Sequence, residues 1–263
     1  MQIELMGCTS AGKSTLTRSI LQVCREQGVD VFRRDDFVLK QIRLNGIKGH
    51  LPRTLLVDAL ALFACLLTWR NNLKFYRFAT RLLFQLPIAL FDKLNLLRNV
   101  LKKIGIHEII RFRSTDQQVI LVDEGVLQAA HNLFVHSAVQ VEMEHLATFV
   151  RLIPFPDVIV YIRPPESRLI DRTMIRGHKR IPDRSYNNVV RFVKQAVATF
   201  DQLAQNPSVE SRLVVVDGGP AVAFAASCQD DPKFNLALRL IRTGVTAGMT
   251  NTFTETTPRE AYT

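Results

Sequence analysis

Gly7, Gly12, Lys13 and Ser14 stand in the pattern G-x-x-x-x-G-K-S, within the run Gly7-Cys8-Thr9-Ser10-Ala11-Gly12-Lys13-Ser14-Thr15. Each residue type has a chemical reason to be there. Glycines at the two ends let the backbone curl until N–H groups from Thr9, Ser10, Ala11 and Gly12 converge on phosphate oxygens. A helix starting at Lys13 adds the positive end of its dipole. Lys13 is then placed to reach the β- and γ-phosphates, Ser14 to ligate a metal ion through its hydroxyl, and Thr15 to face the α-phosphate. The pattern lies between a strand-like stretch, Gln2 to Met6, and a stretch of helical spacing, Lys13 to Gln27, which is the context this chemistry requires. The expected cofactors are ATP and Mg2+.

Other charged residues gather where apolar runs stop. Gln118 to Val122 is a short β-branched run that ends at Asp123-Glu124-Gly125, so Asp123 is the second expected magnesium group, with Glu124 beside it. Val29 to Phe32 closes on Arg33-Arg34-Asp35-Asp36. An acid there is positioned to take a proton from an acceptor hydroxyl, and Asp36 is preferred to Asp35. The two arginines suit an anionic acceptor. After Val158 to Ile162 come Arg168, Arg172, Arg176, Lys179, Arg180 and Arg184. Arg172, Arg176 and Arg180 recur every four residues. On one helix they form a cationic face that would neutralise charge on a transferred phosphoryl group. Leu213 to Val216 ends at Asp217-Gly218-Gly219-Pro220, a turn suited to the edge of an adenine ring.

Two other P-loop classes lack their signatures here: there is no Asn-Lys dipeptide for an N-K-x-D guanine-reading motif, and no LSGGQ-like run. With GCTSAGKST at 7–15, VILVDEG at 119–125, YIRPPESRLIDRTMIRGHKR at 161–180 and VVVDGG at 214–219, the chain resembles the nucleoside and nucleotide monophosphate kinase superfamily. The thymidylate kinase-like branch is the nearest. The resemblance covers about the first 40 and the last 150 residues. It implies an ATP-dependent phosphotransferase in which Lys13, Ser14, Asp123, Arg172, Arg176 and Arg180 take the roles above, the arginine-rich stretch being the lid. Where thymidylate kinases have Asp-Arg-Tyr and deoxynucleoside kinases Glu-Arg-Ser, this chain has Asp123-Glu124-Gly125. The arginine both use near substrate is missing, which leaves nucleotide, sugar and lipid-linked acceptors all open.

The elements that must hold these groups follow from periodicity. Apolar strands alternating with helical stretches (Val126 to Phe134, Ser167 to Ile175, Asn188 to Ala204) predict an α/β P-loop fold of three layers, with a mainly parallel five-stranded sheet and the site beyond the strands' carboxyl ends. Residues 1–243 are expected to be one domain, with 40–113 a helical insertion on the acceptor side and 244–263 a disordered tail. The insertion carries fourteen Lys/Arg against three acids (Asp58, Asp92 and Glu108), a balance of +11 out of a chain total of +10. Within it, Leu55 to Leu67 is apolar nearly all round, with Asp58 inside, and is read as a buried helix. Leu73 to Leu86 and Ile88 to Ile104 are basic amphipathic helices. They suit either a cover over a bulky substrate or peripheral contact, through 73–104, with an anionic membrane surface. Interleaved Leu and Phe argue against nucleic acid. Trp69 and the phenylalanines of the insertion read as packing. Four scattered cysteines without a CxxC pair exclude a disulfide framework, and the N-terminus has no signal-peptide pattern. A cytoplasmic protein is expected, with attachment at the inner face of the membrane and homodimerisation as open alternatives. A membrane-associated nucleotide switch that phosphorylates nothing is the rival reading.

Overall fold

A computed structural model describes residues 1–44, 47, 49–115, 118–136, 142–178, 180–181, 183, 185–217, 222–224 and 232–254. In chain order the elements are β1 (Gln2–Met6), α1 (Lys13–Glu26), β2 (Val31–Arg33), α2 (Arg34–Gln41), α3 (His50–Leu67), α4 (Trp69–Gln85), α5 (Leu90–Arg113), β3 (Val119–Val122), α6 (Ala129–Phe134), α7 (Met143–Leu152), β4 (Val158–Ile162), α8 (Glu166–Arg176), α9 (Tyr186–Ala204), α10 (Pro207–Glu210), β5 (Leu213–Val216), β6 (Val222–Phe224) and α11 (Pro232–Thr254). The sheet order is β2-β3-β1-β4-β5-β6. The first five strands are parallel, as the alternation of apolar runs and helices predicts. The sixth, which the sequence reading missed, pairs antiparallel with β5 at the edge.

Strands β1, β3 and β4 are buried throughout, because helices cover both faces of a sheet whose crossovers run over it. Alternation along each strand divides the core. Ile3, Leu5, Val158 and Val160 pack with residues of α1, α9 and α11, while Met6, Ile159 and Tyr161 pack with α4 through α7. Ile120 and Val122 meet Phe37 of α2 and Ile106 and Ile110 of α5 in a third cluster. The insertion is therefore built into the domain: α5 lies on the sheet, and Phe75 of α4 meets Phe149 of α7 at a ring-centroid distance of 6.0 Å.

Within the insertion, α3 and α5 cross at backbone contact. A Cβ on Gly105 would stand 1.9 Å from the Ala61 carbonyl oxygen, so only glycine fits there. Asp58 is buried at this crossing and pairs with Lys102, with Arg98 at 3.6 Å. An acid inside an apolar helix is tolerated because two cations of α5 face it. Two sequence expectations need correction. Only 22% of α3 is buried, since α5 covers one side and nothing described covers the other. The chain past Gly244 continues as α11 to Thr254, because the inner face of that helix, including Leu240, Ile241 and Val245, packs on α1. Residues 255–263 lie outside the described residues.

Candidate active site

Parallel pairing brings the carboxyl ends of β1, β2, β3 and β4 to one edge. Glu4 is level with Val122, Arg33 with Leu121 and Met6 with Tyr161, so the residues just after them, Gly7, Arg34 and Asp123, emerge together. The Gly7–Gly12 loop opens α1, with Gly12 as its N-cap in a left-handed conformation (φ 102°). That helix start has no side-chain cap and no acid in its first turn, so its leading N–H groups remain available to an anion. Ser10 takes a positive φ of 67°, and its hydroxyl is buried with no hydrogen-bond partner. Ser14 and Thr15 are exposed in the first helical turn. The Lys13 ammonium donates to the carbonyls of Gly7 (2.8 Å) and Cys8 (2.9 Å), folded against its own loop. Burial lowers its pKa, against the attraction of Glu124. An uncapped helix start, an orphaned buried hydroxyl and a lysine at the loop's centre fit a polyphosphate.

Asp123 follows β3 and lies 3.5 Å from Arg34 Nε and 3.6 Å from Arg33. The same Arg34 nitrogen donates to Asp35 at 3.1 Å, and the guanidinium also donates to the Glu124 carbonyl at 2.8 Å. Asp35 and Asp123 are thus neighbours joined by one arginine. Asp36, the acid the sequence favours, points elsewhere and pairs with Arg53 of α3. Consecutive residues at a helix start project about 100° apart, which only the backbone direction after β2 could decide. The carboxylate of Glu124 lies 3.4 Å from the Lys103 ammonium. Lys103 foremost, with Arg34 and Lys13 behind it, holds its pKa down to about 2 against burial, which favours the neutral acid, so Glu124 is fixed as an anion. Burial in turn lowers the pKa of Lys103.

A polar cleft of about 140 Å³ opens beside these groups, lined by Arg34, Asn99, Lys102, Lys103, Glu124 and Asn132. All three cations already face carboxylates: Arg34 with Asp35 and Asp123, Lys102 with Asp58, Lys103 with Glu124. The arginines after β2 therefore both lie close to acids, Arg33 to Asp123 and Arg34 to Asp123 and Asp35.

The lid stretch is only partly as expected. Helix α8 stops at Arg176 and the chain turns at Gly177 (φ 72°), so Arg180 is not on the face that carries Arg172 and Arg176. Arg180 donates to the carbonyls of His131 (3.0 Å) and Val135 (2.9 Å) and to Asn132 Oδ1 (3.1 Å), closing the end of α6. Burial lowers its pKa to about 10, which leaves it charged at neutral pH. Arg172 leans on the phosphate loop, 3.4 Å from the Ser10 carbonyl, and Arg176 is exposed. Asp217 is exposed at the end of β5; Gly218, Gly219 and Pro220, like Lys179 and Arg184, lie outside the described residues.

Three supporting residues escaped the sequence reading. Glu4, inside β1, accepts the N–H groups of Val126 (3.0 Å), Leu127 (2.7 Å) and Gln128 (3.2 Å), so the loop after Glu124 is fastened to the strand that leads into the phosphate loop. A Cβ on Gly125 would lie 2.3 Å from that carboxyl group, which accounts for glycine at a position where the resembling kinases carry a side chain. The Gln128 amide donates to the Gly7 carbonyl (3.1 Å) and accepts the Gly7 N–H (3.2 Å), clamping the first glycine. Lys103 comes from the insertion. An acid in an apolar strand was a visible signal for Glu4. Nothing in the sequence separates Gln128 or Lys103 from their neighbours.

Fold and site together define a P-loop α/β protein with its carboxylates gathered beside the phosphate loop. No protein-family model and no curated protein matches the chain. Among solved structures it is similar to deoxyadenosine kinase from M. mycoides with products dCMP and a flexible dCDP bound, at 14% identity and TM-score 0.43, covering 96% of this chain and 99% of that one. The same enzyme with bound dCTP gives 14% identity and TM-score 0.39, with 91% and 97% coverage. At that identity and with TM-scores under 0.5, the likeness carries no argument about chemistry, which rests on the site's own geometry.

Proposed function

We propose that the chain is an ATP-dependent phosphotransferase acting on a hydroxyl-bearing small molecule, of nucleoside or sugar type. The observation that carries this reading is the gathering, at the sheet edge where the uncapped phosphate loop emerges, of Asp123 and Asp35 joined by Arg34, beside a polar cleft that Arg34 and Glu124 line. A switch needs the loop and its magnesium carboxylate, whereas an acceptor site needs a cleft and a further carboxylate as well. Because the cleft's cations are already paired, recognition falls to hydrogen bonds from Asn99, Asn132 and the charged pairs, which suits a polar, uncharged acceptor over a phosphate. Nucleoside-like acceptors lead among these through the sequence resemblance.

In this reading Lys13 leaves the Gly7 and Cys8 carbonyls for the β- and γ-phosphate oxygens, and the free N–H groups of the α1 start hold the rest of the polyphosphate. Ser14 and Asp123 would hold magnesium, which when bound neutralises charge on the phosphates. Asp35 takes the proton from the acceptor hydroxyl as its oxygen bonds to the γ-phosphorus, and the bond to the β-phosphate oxygen breaks to release ADP. Glu124, held as an anion between Lys103, Arg34 and Lys13, keeps those cations aimed at the site. Arg172 and Arg176 would approach the transferred group from the lid side.

Acceptor-dependent ADP release, measured with ATP and magnesium over nucleosides, nucleotides, sugars and lipid-linked sugars, tests the reading. Asp35→Asn should lower turnover at least about a hundredfold at unchanged ATP affinity, and Asp36→Asn should leave it nearly intact. ATP binding without release of ADP on any acceptor would reverse the conclusion in favour of a nucleotide switch.

A further inference from the structure

The outer side of α3 is an apolar surface in want of a cover. Leu51, Leu55, Phe63, Leu66 and Leu67 are each between 58% and 75% exposed, and Pro52 and Ala59 are exposed among them. At 100° per residue these positions occupy one half of the helix, and no charged residue falls in that half. The opposite half holds Val57, Asp58, Ala61 and Cys65, all buried against α5. A contiguous exposed apolar patch of this kind often marks an interaction site. Trp69, 44% exposed, opens α4 two residues after α3 ends, and Arg70, Lys74, Arg77 and Arg81 of α4 are exposed cations.

We propose that this face is a docking surface for an anionic lipid bilayer, with α3 lying in the headgroup region and the α4 cations over the phosphates. Charge decides between covers. The segment 40–113 carries fourteen cations and three acids, and two of those acids, Asp58 and Glu108, are buried in ion pairs with Lys102 and Arg111. Asp92 is its one exposed acid, so two copies brought together here would oppose like charge. An anionic membrane supplies the opposite sign, and an apolar stripe beside Trp and Lys/Arg is the composition that holds a helix in an interface. With its inner half committed to α5 through Gly105 and Asp58, α3 lies along the surface and does not cross it. The sequence left membrane contact through 73–104 as one of two readings of that segment; the exposed apolar stripe lies on α3 instead. The inference stands apart from the phosphotransferase reading, since no residue of the stripe belongs to the site.

The test is co-sedimentation of the full chain with vesicles of phosphatidylcholine alone and of phosphatidylcholine with phosphatidylglycerol, without nucleotide or acceptor. Binding should need the anionic lipid and weaken as salt rises. Leu55→Ser with Phe63→Ser should lower affinity about tenfold or more, and Arg77→Glu with Arg81→Glu should do the same independently, while thermal melts stay unchanged because all four positions face solvent. Failure to bind either vesicle, or equal binding by the variants, refutes the proposal. So does sedimentation of the wild-type protein as a dimer that the Leu55→Ser/Phe63→Ser variant dissociates, which would identify a second copy as the cover.

Discussion

Glu4 ties the loop after β3 to the strand that enters the phosphate loop, and replacing it by Gln isolates what its ionisation costs. The carboxyl group is fully buried, and burial raises its pKa from 4.5 to about 7, against the three backbone N–H groups and the more distant Lys103 that favour the anion. A carboxyl whose pKa is raised in the fold keeps its proton there more strongly than in the unfolded chain. The contribution of Glu4 to stability is then highest below about pH 4.5, falls as the pH rises to about 7, and levels off above. Each pKa unit is worth about 1.4 kcal/mol, so the full window corresponds to about 3 kcal/mol. About 2 kcal/mol of it lies between about pH 5.5 and about pH 8.5. Glutamine keeps the shape and one acceptor oxygen, does not titrate, and leaves the Val126 N–H without its partner at a cost of about 1 kcal/mol. Urea unfolding of the wild type and of Glu4→Gln, followed by circular dichroism, should therefore show the wild type losing about 2 kcal/mol relative to the variant across that interval. Curves that stay parallel would mean that the three N–H groups outweigh desolvation and hold Glu4 ionised, and the reasoning would be wrong.

Two further outcomes follow from the same contacts. Gln128→Ala strips both bonds from Gly7 and should weaken ATP binding about tenfold, equivalent to about 1.4 kcal/mol, in a calorimetric titration; unchanged affinity would show that the loop holds its shape without the clamp. Lys103→Met removes the chief cause of the low Glu124 pKa while its burial remains, so Glu124 should take up its proton at a higher pH than in the wild type and the acid side of the pH–rate profile should move upward; an unmoved profile would take Glu124 out of the active charge set.

Much of the phosphate site was legible in the sequence, because its chemistry is local. A phosphate loop is nine consecutive residues between a strand and a helix, and Gly7 to Thr15 state its geometry in their types. The strands were readable for a related reason: β-branched runs that stop at Asp123 or Asp217 have one plausible structure. The sequence also determined that the insertion is basic and helical. It could not determine which side chains of that insertion enter the site. Lys103 reaches Glu124 because α5 packs on β3 in one register, and the two residues are twenty-one apart in the chain. The choice between Asp35 and Asp36 depended on how the backbone leaves β2. Arg180 was misread because a four-residue spacing carries a helix onward only where the backbone allows, and Gly177 ends it. Helix α3 shows the limit most plainly. Its apolar composition says that both sides want burial, and only the tertiary structure shows that α5 satisfies one of them, since hydrophobic patterning records a demand for cover without naming the partner.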